Sequence, residues 1–91
     1  MANDLNLRYS ISVFFPCFNE AANVERVISD AVAHLPSISD DFEILVIDDG
    51  STDGTSQVVE TMMLSDERVR LLAHTENLGY GMALRTGFQG A

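Results

Sequence analysis

Lysine is absent from this 91-residue chain: its five cations are all arginine, set against 14 Asp and Glu, for a net charge of -9. Such a chain repels a phosphate backbone or an anionic membrane surface, so nucleic acid is excluded as a partner. Cysteine is nearly absent too. Cys17 stands alone, which excludes an intrachain disulfide and points to a reducing compartment. No apolar run approaches the ~18 residues of a membrane span, and residues 1–10 hold no apolar block of the signal-peptide kind. The expectation is a soluble, cytoplasmic chain without a membrane span. What remains is 46% apolar and 21% charged residues, a globular composition at the length of a single domain.

After a polar lead at residues 1–10, Ile11-Ser12-Val13-Phe14-Phe15 is a β-rich run that Pro16 is expected to stop, because proline cannot continue a hydrogen-bonded ladder. From Asn19 the pattern changes to apolar residues three and four apart at Val24, Val27, Ile28, Ala31 and Leu35. That spacing predicts an amphipathic helix ended by Pro36. Glu43-Ile44-Leu45-Val46-Ile47 is apolar after its first residue, as a strand covered on both faces of a parallel sheet must be. Turn formers fill residues 48–54, and then Val58, Val59, Met62 and Met63 predict the inner face of a second helix. A third strand is expected at residues 69–73. Beyond the turn at residues 77–81, Met82, Ala83, Leu84, Gly87 and Phe88 predict the stripe of a third helix.

Three consecutive β-α units imply parallel strands with right-handed crossovers, ordered 3-2-1 with strand 2 in the middle. The fold class is α/β, half of a doubly wound, Rossmann-like sheet. Ligands of such sheets bind beyond the carboxyl ends of the strands. The polar clusters at residues 16–20, 48–54 and 75–81 each follow a strand, so they are expected to share one rim.

Each cluster has two readings. Asp48 and Asp49 at the end of strand 2 can accept hydrogen bonds from a base N–H or ribose hydroxyls, with Gly50 and Gly54 permitting tight turns and Ser51 or Thr52 capping the helix. Equally, such Asp residues can serve only to satisfy local backbone N–H groups. A third possibility is calcium. Asp49, Ser51, Asp53 and Glu60 fall at places one, three, five and twelve of a calcium loop with Gly54 at six, although Ser56 occupies the usually apolar eighth place and a strand leads in. In Pro16-Cys17-Phe18-Asn19-Glu20, Phe18 offers a flat face and Asn19 can cap the following helix; the plainer account is a cap beside a core Phe. Cys17 reads as a small packed residue rather than a nucleophile, and His34 and His74 read as isolated. Gly79-Tyr80-Gly81 is no dinucleotide fingerprint: the third glycine is Gly87, and the loop follows strand 3 rather than strand 1.

Taken together, residues 11–20 (I-S-V-F-F-P-C-F-N-E), 44–55 (I-L-V-I-D-D-G-S-T-D-G-T on either side of the strand end) and 77–87 (N-L-G-Y-G-M-A-L-R-T-G) resemble the N-terminal half of a family 2 glycosyltransferase of the GT-A fold. The flavour is that of the polyprenol- or dolichyl-phosphate sugar transferases. The resemblance implies sugar transfer from a nucleoside diphosphate sugar to an acceptor such as a polyprenyl phosphate, with inversion at the anomeric carbon. It gives the nucleotide-sugar-binding role to Pro16, Phe18, Glu20, Asp48 and Asp49, and to Asn77 and Gly79 beside the same pocket.

The resemblance also sets a limit. The family's metal-binding Asp-x-Asp and its catalytic base would lie after Ala91, so residues 11–91 are expected to be the nucleotide-sugar-binding half of a truncated domain, inactive alone. A divalent metal, Mg or Mn, is implied for the full-length parent and none is expected to bind this chain tightly. The parent is expected at the cytoplasmic face of a membrane. Strand 1, left as an unprotected edge, is expected to make the chain a homo-oligomer. The rival class is a non-catalytic α/β interaction or calcium-binding module.

Overall fold

The computed structural model describes residues 10–91, so all of the expected polar lead except Ser10 lies outside the described residues. Three parallel strands, β1 (Ser10–Cys17), β2 (Asp41–Asp49) and β3 (Val69–His74), form one sheet in the order β1-β2-β3. The helices are α1 (Val24–His34), α2 (Thr55–Ser65) and α3 (Tyr80–Gly90), with a short 3-10 turn at Leu35–Ser37 after α1. Strand order, strand direction and the central place of β2 are those expected from its uninterrupted apolar run.

The period of two along β2 divides the core. Ile44 and Val46 face a cluster with Val24 and Ile28 of α1 and Val59 of α2, whereas Leu45 and Ile47 face Ala83 of α3, with Phe14 and Leu72 packed beside them. All four central side chains are fully buried, and each burial contributes about 1.5–3 kcal/mol relative to exposure. The sheet is thus covered on both faces by helices, the reason a charged residue has no place between Glu43 and Asp48.

Four expectations are corrected here. β1 does not stop at Pro16: it runs on to Cys17, with Pro16 opposite Ile47, which a proline can do on an edge strand where its missing N–H is not needed. Helix α1 begins at Val24, and Asn19 does not cap it; the residue at the cap position is Asn23, with no side-chain cap bond. Ser51 and Thr52 likewise do not cap α2, whose N-cap is Gly54. Met63 and Phe88 sit on exposed rather than inner faces, 37% and 74% exposed, because a helix on one side of a small sheet buries only a narrow stripe. Phe88 still meets Phe14 edge-on, with ring centroids 5.2 Å apart.

Helix α3 packs close. A Cβ built on Gly87 would sit 3.0 Å from the Phe14 ring and 3.1 Å from Ile47, so Ala83 and Gly87, one helical turn apart, let the helix backbone lie against the sheet.

Candidate functional site

The site is built outward from the end of β2, where the period of two sends adjacent carboxylates to opposite faces. Asp48 turns toward α2: its Oδ1 accepts the Ser51 N–H at 3.0 Å and its Oδ2 accepts the Ser56 hydroxyl. Asp49 turns the other way. Its Oδ1 takes His74 Nδ1 at 2.7 Å and the Leu78 N–H at 2.9 Å, and its Oδ2 takes the Gly79 N–H at 2.8 Å. Hydrogen bonding by His74, and then by the Leu78 and Gly79 amides, holds the Asp49 carboxyl below the usual carboxylate range, although burial opposes it.

The same loop also holds the first one. Asn19 N–H donates to Ser51 Oγ at 2.8 Å and Thr52 N–H donates back to Asn19 Oδ1 at 2.8 Å. Glu20 N–H reaches Thr55 Oγ1 at 3.0 Å, and Ala21 N–H reaches Asp53 Oδ2 at 3.1 Å. Asn19 adopts a left-handed φ of 55°, which Asn tolerates better than most residues. Its side chain therefore serves a neighbouring loop rather than its own helix. Asp53 is held below the usual carboxylate range chiefly by the Thr55 hydroxyl, with the Ala21 and Thr55 amides adding to it. The loop after β2 is the hub to which both other strand-end loops are fastened.

Between these loops lies a cleft of about 180 Å³, lined by Pro16, Cys17, Phe18, Asp49, Asn77, Gly79, Tyr80 and Ala83. A second groove of about 480 Å³ shares Pro16, Cys17 and Phe18 with it and adds Glu20 and Asn23. Five of the seven candidate residues, Pro16, Phe18, Asp49, Asn77 and Gly79, thus come together on one cleft. Glu20 lines the adjoining groove. Asp48 lines neither and is engaged with the loop and α2. Cys17 borders the cleft, but burial first, and then Asp48, Glu20 and Asp53, push its thiol up to about 12, so it is no ready nucleophile.

The sequence reading missed His74, Thr86 and Tyr80. His74 is not isolated. Its Nδ1 faces Asp49 and its Nε2 lies 2.8 Å from Thr86 Oγ1. The usable signal was register: Asp49 and His74 are partners across β2 and β3. Tyr80, 70% exposed, opens α3 on the cleft wall.

The carboxylates of the calcium-like loop do not converge. Asp49 faces β3 and α3, Asp53 faces the loop after β1 and Thr55, and among the described residues no group of three His, Cys, Asp or Glu is placed to hold a metal ion. The described residues therefore offer a divalent ion no converging set of ligands.

Residues 12–91 match the sequence profile described as Glycosyl transferase family 2. The chain belongs to glycosyl transferase family 2. It is 34% identical over 84 residues to the dolichyl-phosphate beta-glucosyltransferase of Saccharomyces cerevisiae, an alignment covering 86% of this chain and 25% of that protein. It is also 34% identical over 77 residues to the polyprenol monophosphomannose synthase of Mycolicibacterium smegmatis, covering 84% and 28%. In structure it resembles the mannosyltransferase PcManGT of Pyrobaculum calidifontis, solved in complex with GDP-Man and Mn2+. That match has a TM-score of 0.81 at 30% identity, over 94% of this chain and 25% of the other. This family 2 chain therefore has the GT-A fold over roughly a quarter of the length of these relatives. Among the described residues no helix is long and apolar enough to cross a membrane.

Proposed function

We propose that this family 2 chain is the donor-binding half of an inverting glycosyltransferase, and that its cleft takes the nucleoside of a nucleoside diphosphate sugar. One observation carries the reading. A carboxylate held in its charged form, Asp49, forms part of a cleft at the carboxyl end of the sheet where all three strand-end loops meet. A charged acceptor in a partly dry cleft suits the N–H edge of a base or a ribose hydroxyl. Pro16, Phe18, Asn77 and Gly79 form the walls, and Glu20 extends the site into the adjoining groove. At about 180 Å³ the cleft is below the roughly 300 Å³ of a complete small-molecule pocket, so it receives part of the nucleotide and the groove beside it receives more. Asp48, in this reading, supports the site by pinning the loop to α2.

In the full-length protein the acceptor is a polyprenyl phosphate, by likeness to the yeast and mycobacterial enzymes, and a Mg or Mn ion accompanies the diphosphate, by likeness to the mannosyltransferase. The protein works at the cytoplasmic face of a membrane. The chain of residues 1–91 by itself binds nucleotide weakly and transfers nothing, because diphosphate meets a net charge of -9 with no bridging cation. Separate NMR titrations with UDP, GDP and calcium test this. Shifts of the Phe18, Asp49, Asn77 and Gly79 amides with either nucleotide are expected; tight calcium binding that moves Asp49, Asp53 and Glu60 instead would establish the rival module.

A further inference from the structure

We propose that His74 and Thr86 are positioning residues for the base-binding carboxylate: the Thr86 hydroxyl donates to His74 Nε2, and His74 Nδ1–H in turn aims Asp49 into the cleft. The inference deepens the donor-binding reading and rests on it.

The direction of the relay follows from which atoms can donate. A carboxylate only accepts, so the 2.7 Å contact between Asp49 Oδ1 and His74 Nδ1 puts the proton on Nδ1. The other nitrogen of a neutral imidazole is then an acceptor, and its neighbour at 2.8 Å, Thr86 Oγ1, must supply the proton of that bond. Both side chains are fixed by their elements. His74 ends β3 in register with Asp49. Thr86 lies in α3, held on the sheet by the close approach of Gly87, its neighbour in sequence, to Phe14 and Ile47.

The carboxylate is therefore gripped on three sides. Oδ1 takes the imidazole and the Leu78 amide, while among the described residues Oδ2 takes only the Gly79 amide, leaving acceptor capacity on a carboxylate that lines the cleft. Gly79 has φ 96° and ψ 163°, a backbone region essentially restricted to glycine, and that turn brings its N–H onto Oδ2. Rotation of Asp49 about its side-chain bonds would break all three contacts together. Neither His74 nor Thr86 lines the cleft. Their influence on ligand passes through Asp49 alone.

The test uses the whole 91-residue chain with UDP and GDP as probes, together with 15N imidazole spectra in alkaline buffer. The Nδ1–H tautomer of His74 is expected, opposite to the Nε2–H form that free imidazoles favour in water. Thr86→Val, which removes the hydroxyl at nearly constant shape, is expected to weaken nucleotide binding about 3- to 10-fold, and Thr86→Ser to restore it. His74→Ala is expected to weaken it about 10-fold or more, with His74→Asn partly restoring it through an amide N–H near the Nδ1 position. Thr61→Val, which removes a hydroxyl bonded to Gln57 O on α2, controls for loss of a helical Thr far from the cleft. An Nε2–H tautomer, or unchanged binding in Thr86→Val, overturns the relay while leaving the donor-binding reading intact. Failure of the unmodified chain to bind either nucleotide overturns that reading, and this inference with it.

Discussion

Replacing Gly50 by Ala tests the claim that the loop after β2 is the hub of the site. Gly50 has φ +78°, and a Cβ built there lies 2.4 Å from Glu76 C and 2.5 Å from Asn77 N, both backbone atoms. Gly54 supplies the matched comparison: its φ is +91°, and the nearest atom to a built Cβ is Gln57 Oε1, 3.8 Å away. Both alanines incur the left-handed strain of about 1–2 kcal/mol. Only the first adds overpacking, about 1–3 kcal/mol, and its neighbour is main chain that cannot rotate aside. Gly50→Ala is therefore expected to cost about 2–5 kcal/mol and Gly54→Ala about 1–2 kcal/mol. For a domain whose whole stability is about 5–15 kcal/mol, the gap is easily resolved. Equilibrium urea unfolding measures it as a shift in midpoint at unchanged slope. Because residues 76 and 77 precede the Leu78 and Gly79 amides on Asp49, Gly50→Ala is also expected to weaken UDP and GDP binding, whereas Gly54→Ala is not. Equal midpoint shifts for the two variants would refute the packing argument.

Three further outcomes are expected. Asp49, whose folded carboxyl is held below its ordinary value, contributes stability that is fully present above the unfolded value of about 3.9 and lost as pH falls through the folded one. Asp49→Asn should therefore reduce the steepness of the acid limb of stability against pH, and an unchanged limb would contradict this. Cys17, pushed up to about 12, should be alkylated at neutral pH on the order of a thousandfold more slowly than in urea; similar rates in both would show that its setting does not suppress the thiolate. β1, paired only with β2 among the described residues, is proposed to associate with its copy, so light scattering should give a mass that rises with concentration and the β1 amides should exchange slowly. A concentration-independent monomer with fast β1 exchange would count against it.

The fold was legible because its signals are local or topological. An apolar run from Ile44 to Ile47 specifies a central strand by itself, and right-handed crossovers then leave one order for three parallel strands. The shared rim of residues 16–20, 48–54 and 75–81 followed from the same rule, whereas the choice of Pro16, Phe18, Glu20, Asp48, Asp49, Asn77 and Gly79 within it came from the family resemblance; five of the seven line the one cleft. What stayed hidden depends on register and on competition between partners. Asn19 satisfies the rule for a helix cap, yet Ser51 and Thr52 offer it two bonds from another loop, and tertiary partners prevailed. His74 looks solitary along the chain because its partners, Asp49 and Thr86, are 25 and 12 residues away. The Asp pair divides because the strand period separates its members, Asp48 onto α2 and Asp49 onto the cleft.

The placement of α3 explains why the cleft lies where it does. Helices α1 and α2 cover the sheet face of Ile44 and Val46, and the chain there steps from β1 to β2 to β3. Helix α3 covers the opposite face, over Leu45, Ile47 and Phe14. A right-handed crossover on that face moves in the reverse direction, so a further parallel strand entered from α3 lies beside β1 and not beyond β3. The end of β1 is then the point at which the sheet changes direction, and loops on its two sides part there to leave a crevice. Pro16 and Phe18 leave β1 at that point, and Asp49 faces them from the next strand under the start of α3. The same geometry makes the free edge of β1 the seat of either self-association or a following strand, never both at once. A longer chain that supplied such a strand is therefore expected to lose any association that the 91-residue chain shows through β1, and retention of that association at the same concentration would place its interface elsewhere.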